Sequence, residues 1–319
     1  MSVLAIDAAT TGVTASVVAD DGTVTATAHH DLAPSHPGPG RVEHAPDELW
    51  RATLGAVREA VAQVDATTLQ GVGLTTQRAT VVLWDRETLG SPRPAIAGAD
   101  RRTTQVCARL SSHRERVTAL SGLPLAPGFA GPALRWVAEH EPRTWALVGA
   151  GRYAVGTVES YLVARMTRGL EHLTDVANAS STLLLDLAAG DWSDELCAVL
   201  DVPRDALPEL VASWGTLAHT DPRSFAGLEL PLTGLVGEPA ALLLAGASTI
   251  DHDDGPWSLA PTGTTPATPD AGSWATAALR SPSGETTYAV ERPLTAGAAP
   301  RPGAAVLGAA VAARRGLAR

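Results

Sequence analysis

The sequence predicts an α/β fold, a mixed β-sheet with helices packed on its faces, and three observations carry that prediction. The first is a short apolar strand, Val3-Leu4-Ala5-Ile6-Asp7, which ends on a carboxylate and runs into the small, hydroxylated turn Ala8-Ala9-Thr10-Thr11-Gly12. The second is Asp20-Asp21-Gly22, a strong hairpin turn between the β-rich stretches 13–19 and 22–28. The third is the order of the later segments, strands and then helices, which builds a sheet with helical layers. With 319 residues and 45% hydrophobic content there is material for one large domain and a smaller one, without staples.

Along the chain, 3–7, 13–19 and 22–28 make a three-stranded antiparallel start. Pro46-Asp47-Glu48-Leu49-Trp50 opens a helix to about 64, with proline at its first position and acids where the helix dipole favours them. Leu49, Leu54, Val57, Val61 and Val64 lie near helical spacing on one side of it. Strands are expected at 71–75 and 80–84, then helices near 103–112 and 132–139. A helix at 158–166, a hydroxyl-rich loop at 174–182 and a helix at 192–200 come next. A strand at 232–236 runs into Gly237-Glu238-Pro239 and a helix from Ala240. After about Ser248 the texture changes: Asp251-His252-Asp253-Asp254-Gly255-Pro256 reads as a linker, with short strands and an Ala-rich tail beyond it.

Composition excludes several classes. A net charge of −10 disfavours nucleic acid, which needs clustered positive charge. Lysine is absent, so there is no Walker A lysine and no Schiff-base chemistry. Cys107 and Cys197 are far apart with no CxxC spacing, which points to free thiols in a reducing compartment. The N-terminus lacks a basic leader region and the longest apolar stretch, 304–313, is too short to span a bilayer, so a soluble, cytoplasmic protein without membrane contact is expected.

Candidate functional residues lie at the turns. Asp7, at a strand end, can hold a magnesium ion through water, and the backbone and hydroxyls of Thr10 and Thr11 can approach a phosphate unobstructed. Thr262-Gly263-Thr264 is a second small turn that could clasp the same phosphates. Gln77-Arg78 ends a strand, where ligand-binding groups gather, and Arg78 can hold polyol hydroxyls or a developing charge; a surface salt bridge is the alternative. Asp100-Arg101-Arg102 is either a polar clamp or a solvated helix start. Glu238, at a strand-to-helix turn, suits a general base that takes a proton from a hydroxyl, or else an exposed acid stabilised by the helix dipole. Gly149-Ala150-Gly151 imitates a dinucleotide loop but lacks the third glycine and the acidic strand end. His29-His30 and the acids of 251–254 read better as an exposed strand edge and a solvated loop than as metal ligands.

Several motifs in order resemble the FGGY carbohydrate kinases, and within them the glycerol-kinase group. The carriers are Ile6-Asp7 with Thr10-Thr11, Arg41-Val42-Glu43-His44, Thr76-Gln77-Arg78, Trp84-Asp85-Arg86-Glu87-Thr88, Arg101-Arg102-Thr103 and Gly156-Thr157-Val158. Further along come Thr174-Asp175 with Asn178-Ala179-Ser180, Asp191-Trp192, and Gly284-Glu285 with Tyr288-Ala289. The resemblance implies a ribonuclease-H-like, actin-type ATPase fold in which a small polyol or sugar and Mg-ATP meet between two domains, and the γ-phosphoryl of ATP passes to a terminal hydroxyl. It divides the chain into an N-terminal domain, 1–247, and a remnant of the ATP-binding second domain, 248–319. The adenine pocket and the other jaw of the cleft then fall outside the sequence.

The resemblance also locates departures. The family's catalytic aspartate falls on Glu238 and the glutamine after it on Pro239; the glutamate after the polyol-binding arginine falls on Ala79; a tryptophan and a tyrosine of the glycerol pocket fall on Gly98 and Gly128. On the nucleotide side, the glycine of the first turn falls on Ala9 and an arginine on Thr14. Three expectations result. One is a degenerate homologue with little or no kinase activity. Another is a working kinase for a different polyol or sugar, with Gly98 and Gly128 enlarging the pocket and a partner chain supplying the missing jaw. The third is a non-catalytic regulatory or partner-binding module whose apolar face is covered by a homodimer, a partner chain or the tail itself.

Overall fold

The structure, a computed structural model, describes residues 1–237, 241, 258–261, 277–280, 286–289 and 304–317. The expected hairpin forms β1 (Ser2–Ala8), β2 (Gly12–Ala19) and β3 (Val24–Asp31), all antiparallel. At its turn Gly22 has φ +90°, a conformation glycine takes without cost, and Asp21 Oδ1 accepts the Thr23 N–H. The short β4 (Glu43–His44) precedes α1 (Pro46–Val61), whose Leu49, Ala56, Val57 and Ala60 are buried. β5 (Leu69–Thr76) returns parallel to β1.

Beyond it come β6 (Val81–Asp85), β7 (Ala95–Ile96), α2 (Thr104–Arg109), α3 (Arg114–Ser121), α4 (Ala130–His140) and α5 (Pro142–Gly149). They are followed by β8 (Tyr153–Thr157), α6 (Val158–Met166), β9 (Leu173–Asp175), α7 (Val176–Ala179), β10 (Leu185–Asp186) and β11 (Asp191–Trp192). The main body closes with α8 (Asp194–Leu200), β12 (Glu209–Val211), β13 (Trp214–His219) and β14 (Pro231–Gly237). The remaining described elements are β15 (Ser258–Pro261), β16 (Ala277–Arg280) and β17 (Thr286–Ala289), an antiparallel trio, and α9 (Ala304–Leu317).

The principal sheet is mixed, as expected, in the order β13-β14-β5-β1-β2-β3, with β1, β5 and β14 parallel. Its two faces arise from strand alternation. Leu4, Ile6 and Leu74 point to the α1 side; Val3, Ala5 and Val18 point to the other, where Ala309, Ala310 and Ala313 of α9 cover them. The Ala-rich helix of the tail thus packs on this face of the sheet. Glycine and alanine permit this close approach: a Cβ on Gly73 would stand 2.8 Å from the Ala309 carbonyl carbon, and one on Gly234 would stand 2.7 Å from that of Ala312.

A second sheet, β4-β7-β6-β8, carries its own core with α4 and α8 around Leu83, Leu134, Val155 and Leu196. The stretch at 80–84 therefore belongs to this sheet and not to the first. The apolar run before Gly149 is helix α5, and Gly151 ends it at φ +73°, so no strand feeds a dinucleotide loop. The hydroxyl-rich stretch at 174–182, expected as a loop, takes in the end of β9 and all of α7. Among the described residues, no helix is long and apolar enough to cross a membrane.

Candidate functional site

Three parallel strands end level with one another. Asp7, Thr75 and Val236 are register partners across β1, β5 and β14, and so, one residue on, are Ala8, Thr76 and Gly237. Such a carboxyl edge is where an open α/β sheet presents its ligand groups. Asp7 is half-buried there, and the adjoining turn closes with Ala9 N–H donating to the Gly12 carbonyl at 3.0 Å, leaving the Thr10 and Thr11 side chains exposed. Beside Asp7 the Thr75 hydroxyl is buried without a hydrogen-bond partner. A carboxylate, two exposed hydroxyl residues and an unsatisfied buried hydroxyl on one rim fit a hydrated divalent cation and a phosphate.

Gln77 is buried and braces this rim. Its N–H donates to the Ala8 carbonyl at 2.8 Å, its Nε2 to the Ala9 carbonyl at 3.3 Å, and its Oε1 accepts the Thr80 hydroxyl at 2.7 Å. Both ends of the amide are engaged inside the protein, which suits holding the turn more than holding a ligand. Arg78 comes next, half-buried. Ala79 is buried and adopts φ +61°, left-handed backbone that a residue with a Cβ takes at a cost of about 1 kcal/mol.

Gly98 and Gly128 are each packed against neighbouring main chain. A Cβ on Gly98 would stand 2.8 Å from the Arg78 carbonyl oxygen, and one on Gly128 would stand 2.7 Å from the Gly98 oxygen and 3.0 Å from Arg101 Nη1. The main chain of Arg78, Gly98 and Gly128 is thus closely packed at these positions.

Asp100-Arg101-Arg102 is a clamp. The Asp100 and Arg102 side chains are 1% and 3% exposed and pair at 2.8 Å, Arg102 Nη2 also reaches Glu43 Oε1 at 2.7 Å, and the Val42 N–H donates to Asp100 Oδ2 at 2.7 Å. Burial alone would raise the Asp100 pKa, but Arg102 and two backbone N–H groups outweigh it and hold the carboxyl below its ordinary range. Arg101 instead turns to the Gly98 and Asp100 carbonyls.

Glu238, Gly263 and Thr264 lie outside the described residues, as do the acids of 251–254. Gly237, which precedes Glu238, is the last residue of β14. Of the two histidines, His29 meets the Thr14 hydroxyl and His30 meets Glu59 at 3.0 Å. Among the described residues no group of three or more His, Cys, Asp or Glu could hold a metal.

One acidic pair is not evident from the sequence. Glu159, in the first turn of α6, and Asp175, at the N-cap of α7, are fully buried together. Burial, and for Glu159 the neighbouring Asp175 charge, raises both carboxyls above their ordinary values. The available signal was Asp175 three residues before Asn178, an N-cap pattern inside an apparent loop.

Residues 2–238 match the model of the N-terminal domain of the FGGY family of carbohydrate kinases. The chain belongs to that family. It is 41% identical over 243 residues to a glycerol kinase of Methylobacterium nodulans, covering 75% of this chain and 48% of that protein. With a glycerol kinase of Rhodopseudomonas palustris it shares 37% identity over 299 residues, 91% of this chain and 59% of the relative. The chain spans about half the length of the curated relatives it matches. The fold is that of the glycerol kinase of Plasmodium falciparum solved with ADP (TM-score 0.75, 21% identity, 82% of this chain and 54% of that one). It is also that of a xylulose kinase of Rhodospirillum rubrum (TM-score 0.72, 23% identity, 83% and 59%). The actin-like, ribonuclease-H-like architecture expected from the sequence is therefore the observed one.

Proposed function

We propose that this chain is the acceptor-side half of a glycerol-kinase-like carbohydrate kinase and that it has lost most of its capacity to phosphorylate glycerol. On this reading 1–247 is the N-terminal domain and 248–319 a remnant of the second, with α9 docked back on the first sheet. The observation that carries it is the closed contact of Arg78, Gly98 and Gly128, which fills with main chain the positions where the family resemblance implies a polyol-holding platform. Ala79 likewise offers no carboxylate to a hydroxyl. Each buried hydrogen bond removed costs about 1–3 kcal/mol, so several losses together weaken glycerol by orders of magnitude.

Asp7 would hold Mg2+ through water, and Thr10 and Thr11 would face the phosphates of ATP; the cation's chemistry there is to neutralise charge on the transferred group. Arg78 is the remaining charged side chain for an acceptor hydroxyl. Glu238 is the assigned base, one methylene longer than aspartate, and a carboxylate displaced by about an ångström loses on the order of a hundredfold in rate. Gly263 and Thr264 are the assigned second phosphate turn. The substrate class is a small polyol or sugar. A coupled assay of ATP-dependent glycerol phosphorylation by the pure protein tests the proposal: no more than a trace rate is expected, and turnover at an ordinary enzymatic rate, about 1 per second or faster, contradicts it.

A further inference from the structure

Arg101 is pinned to main chain at one corner of its guanidinium and open at the opposite edge. Its Nη1 donates to the Gly98 and Asp100 carbonyls, each at 3.1 Å, and its main-chain N–H donates to the Gly40 carbonyl at 2.7 Å. Glycines let these backbones come close: a Cβ on Gly40 would stand 3.5 Å from Arg101 Cβ, and one on Gly128 would stand 3.0 Å from Nη1. The residue is exposed, and among the described residues it has no carboxylate partner. The nearby acids are committed elsewhere. Asp100 Oδ1 accepts the Arg102 N–H at 2.8 Å and Nε at 2.9 Å, Oδ2 accepts Arg102 Nη2 at 2.8 Å, and Glu43 Oε1 accepts the same Nη2 at 2.7 Å.

The edge that Arg101 leaves unused is the one with which this chain grips carboxylates. Nε and Nη2 lie side by side on a guanidinium and match the two oxygens of a carboxylate. Arg116 holds Glu195 in this way, at 2.7 and 2.6 Å, and Arg223 holds Asp221 at 3.1 and 2.7 Å. With Nη1 fixed on carbonyls, the Arg101 fork is oriented before a ligand arrives, so less side-chain freedom is lost on binding. Gly98, whose carbonyl anchors the fork, adjoins Arg78: a Cβ on Gly98 would stand 2.8 Å from the Arg78 carbonyl oxygen.

We propose that Arg101 binds a carboxylate of the acceptor, and that the acceptor taken at this rim is a small polyhydroxy acid in place of an uncharged polyol. The assignment rests on reading the Arg78 edge as the acceptor side. The charges there favour an anion: Ala79 brings no carboxylate beside Arg78, Arg102 engages both Asp100 and Glu43, and arginine keeps its charge at any working pH. A carboxylate gives the fork two charge-assisted bonds, whereas a hydroxyl gives it one uncharged acceptor.

The test is calorimetric titration of the full chain at constant ionic strength with D-glycerate, D-gluconate, glycerol and acetate, for the wild type, Arg101→Gln and Arg101→Lys. Saturable heat is expected with at least one of the two acids. Binding should weaken about tenfold or more in both variants, because glutamine removes the charge and lysine removes the fork. No saturable binding of either acid, or binding that both variants retain, overturns the proposal. Should the variants fail to fold, the wild-type Arg101 Nε–H resonance decides: it shifts saturably with the acid if the proposal holds, and a resonance that stays in place overturns it. Acetate that binds as tightly as the acids, and is lost in Arg101→Gln, keeps the carboxylate fork but overturns the reading of this rim as the acceptor side. Binding is measured here without phosphotransfer, so glycerol turnover overturns only the proposed loss of activity.

Discussion

Replacing Gly73 by alanine sets two physical effects against each other with opposite signs. Gly73 lies inside β5, where alanine in place of glycine lowers the entropy of the unfolded chain and, on that ground alone, stabilises by about 0.5–1 kcal/mol. Against α9, however, the new methyl would stand 2.8 Å from the Ala309 carbonyl carbon and 3.1 Å from Ala313 Cβ, where ordinary carbon contacts need about 3.5–4 Å. The helix must therefore retreat by roughly an ångström, and overpacking of that kind costs about 1–3 kcal/mol. The net expectation for Gly73→Ala is destabilisation, seen as a lower urea midpoint and as faster amide exchange confined first to 304–317. Gly149→Ala is the control: it ends α5, nothing lies within 4 Å of its added methyl, and it should stabilise by several tenths of a kcal/mol. If Gly73→Ala leaves both the midpoint and the α9 exchange unchanged, the claim that this helix seals the sheet is refuted.

Two further outcomes concern the buried charges. Arg102→Met leaves Asp100 and Glu43 without their shared cation and should cost about 3–5 kcal/mol in denaturant unfolding. Because the Asp100 pKa is depressed in the folded protein, its contribution is present above the ordinary aspartate value of 3.8 and is lost as pH falls through the lower folded value; Asp100→Asn should flatten that acid limb. For Glu159 the sign is reversed. Its folded pKa is raised, so the folded state holds a proton that the unfolded state releases above 4.5, and stability falls by up to about 1.4 kcal/mol per pH unit until the folded value is passed. Glu159→Gln should remove that slope, gaining on the wild type as pH rises from 5 to 8 in thermal melts.

What could be read from the sequence was local. The β2–β3 hairpin is written in Asp20-Asp21-Gly22, α1 in its proline and first-turn acids, and α6 begins and ends where its pattern does, at 158 and 166. The short, weakly amphipathic α3 and the strand β8, buried behind a glycine-rich turn, gave no comparable period. Long-range placement was hidden for a physical reason: the partner of 80–84 and the docking of α9 depend on surfaces brought together from distant parts of the chain. Gly71, Gly73 and Gly234 did carry a signal, since glycine inside a strand marks close backbone approach, but not what approaches. At the rim, Asp7 and the Thr10-Thr11 turn could be located from residue chemistry alone. The brace made by Gln77 and the buried Asp175 depend on side-chain contacts across elements. The close packing of main chain around Gly98 and Gly128 likewise depends on loops from distant parts of the chain and could not be read locally.

Calorimetric titration of the pure chain with glycerol, with and without Mg-ADP, addresses the central claim most directly. The closed contact of Arg78, Gly98 and Gly128 predicts no saturable heat at millimolar glycerol in either condition. Saturable binding with a Kd at or below about 1 mM, a free energy near −4 kcal/mol, would contradict it, because a grip of that strength requires polar side chains that Ala79, Gly98 and Gly128 do not supply.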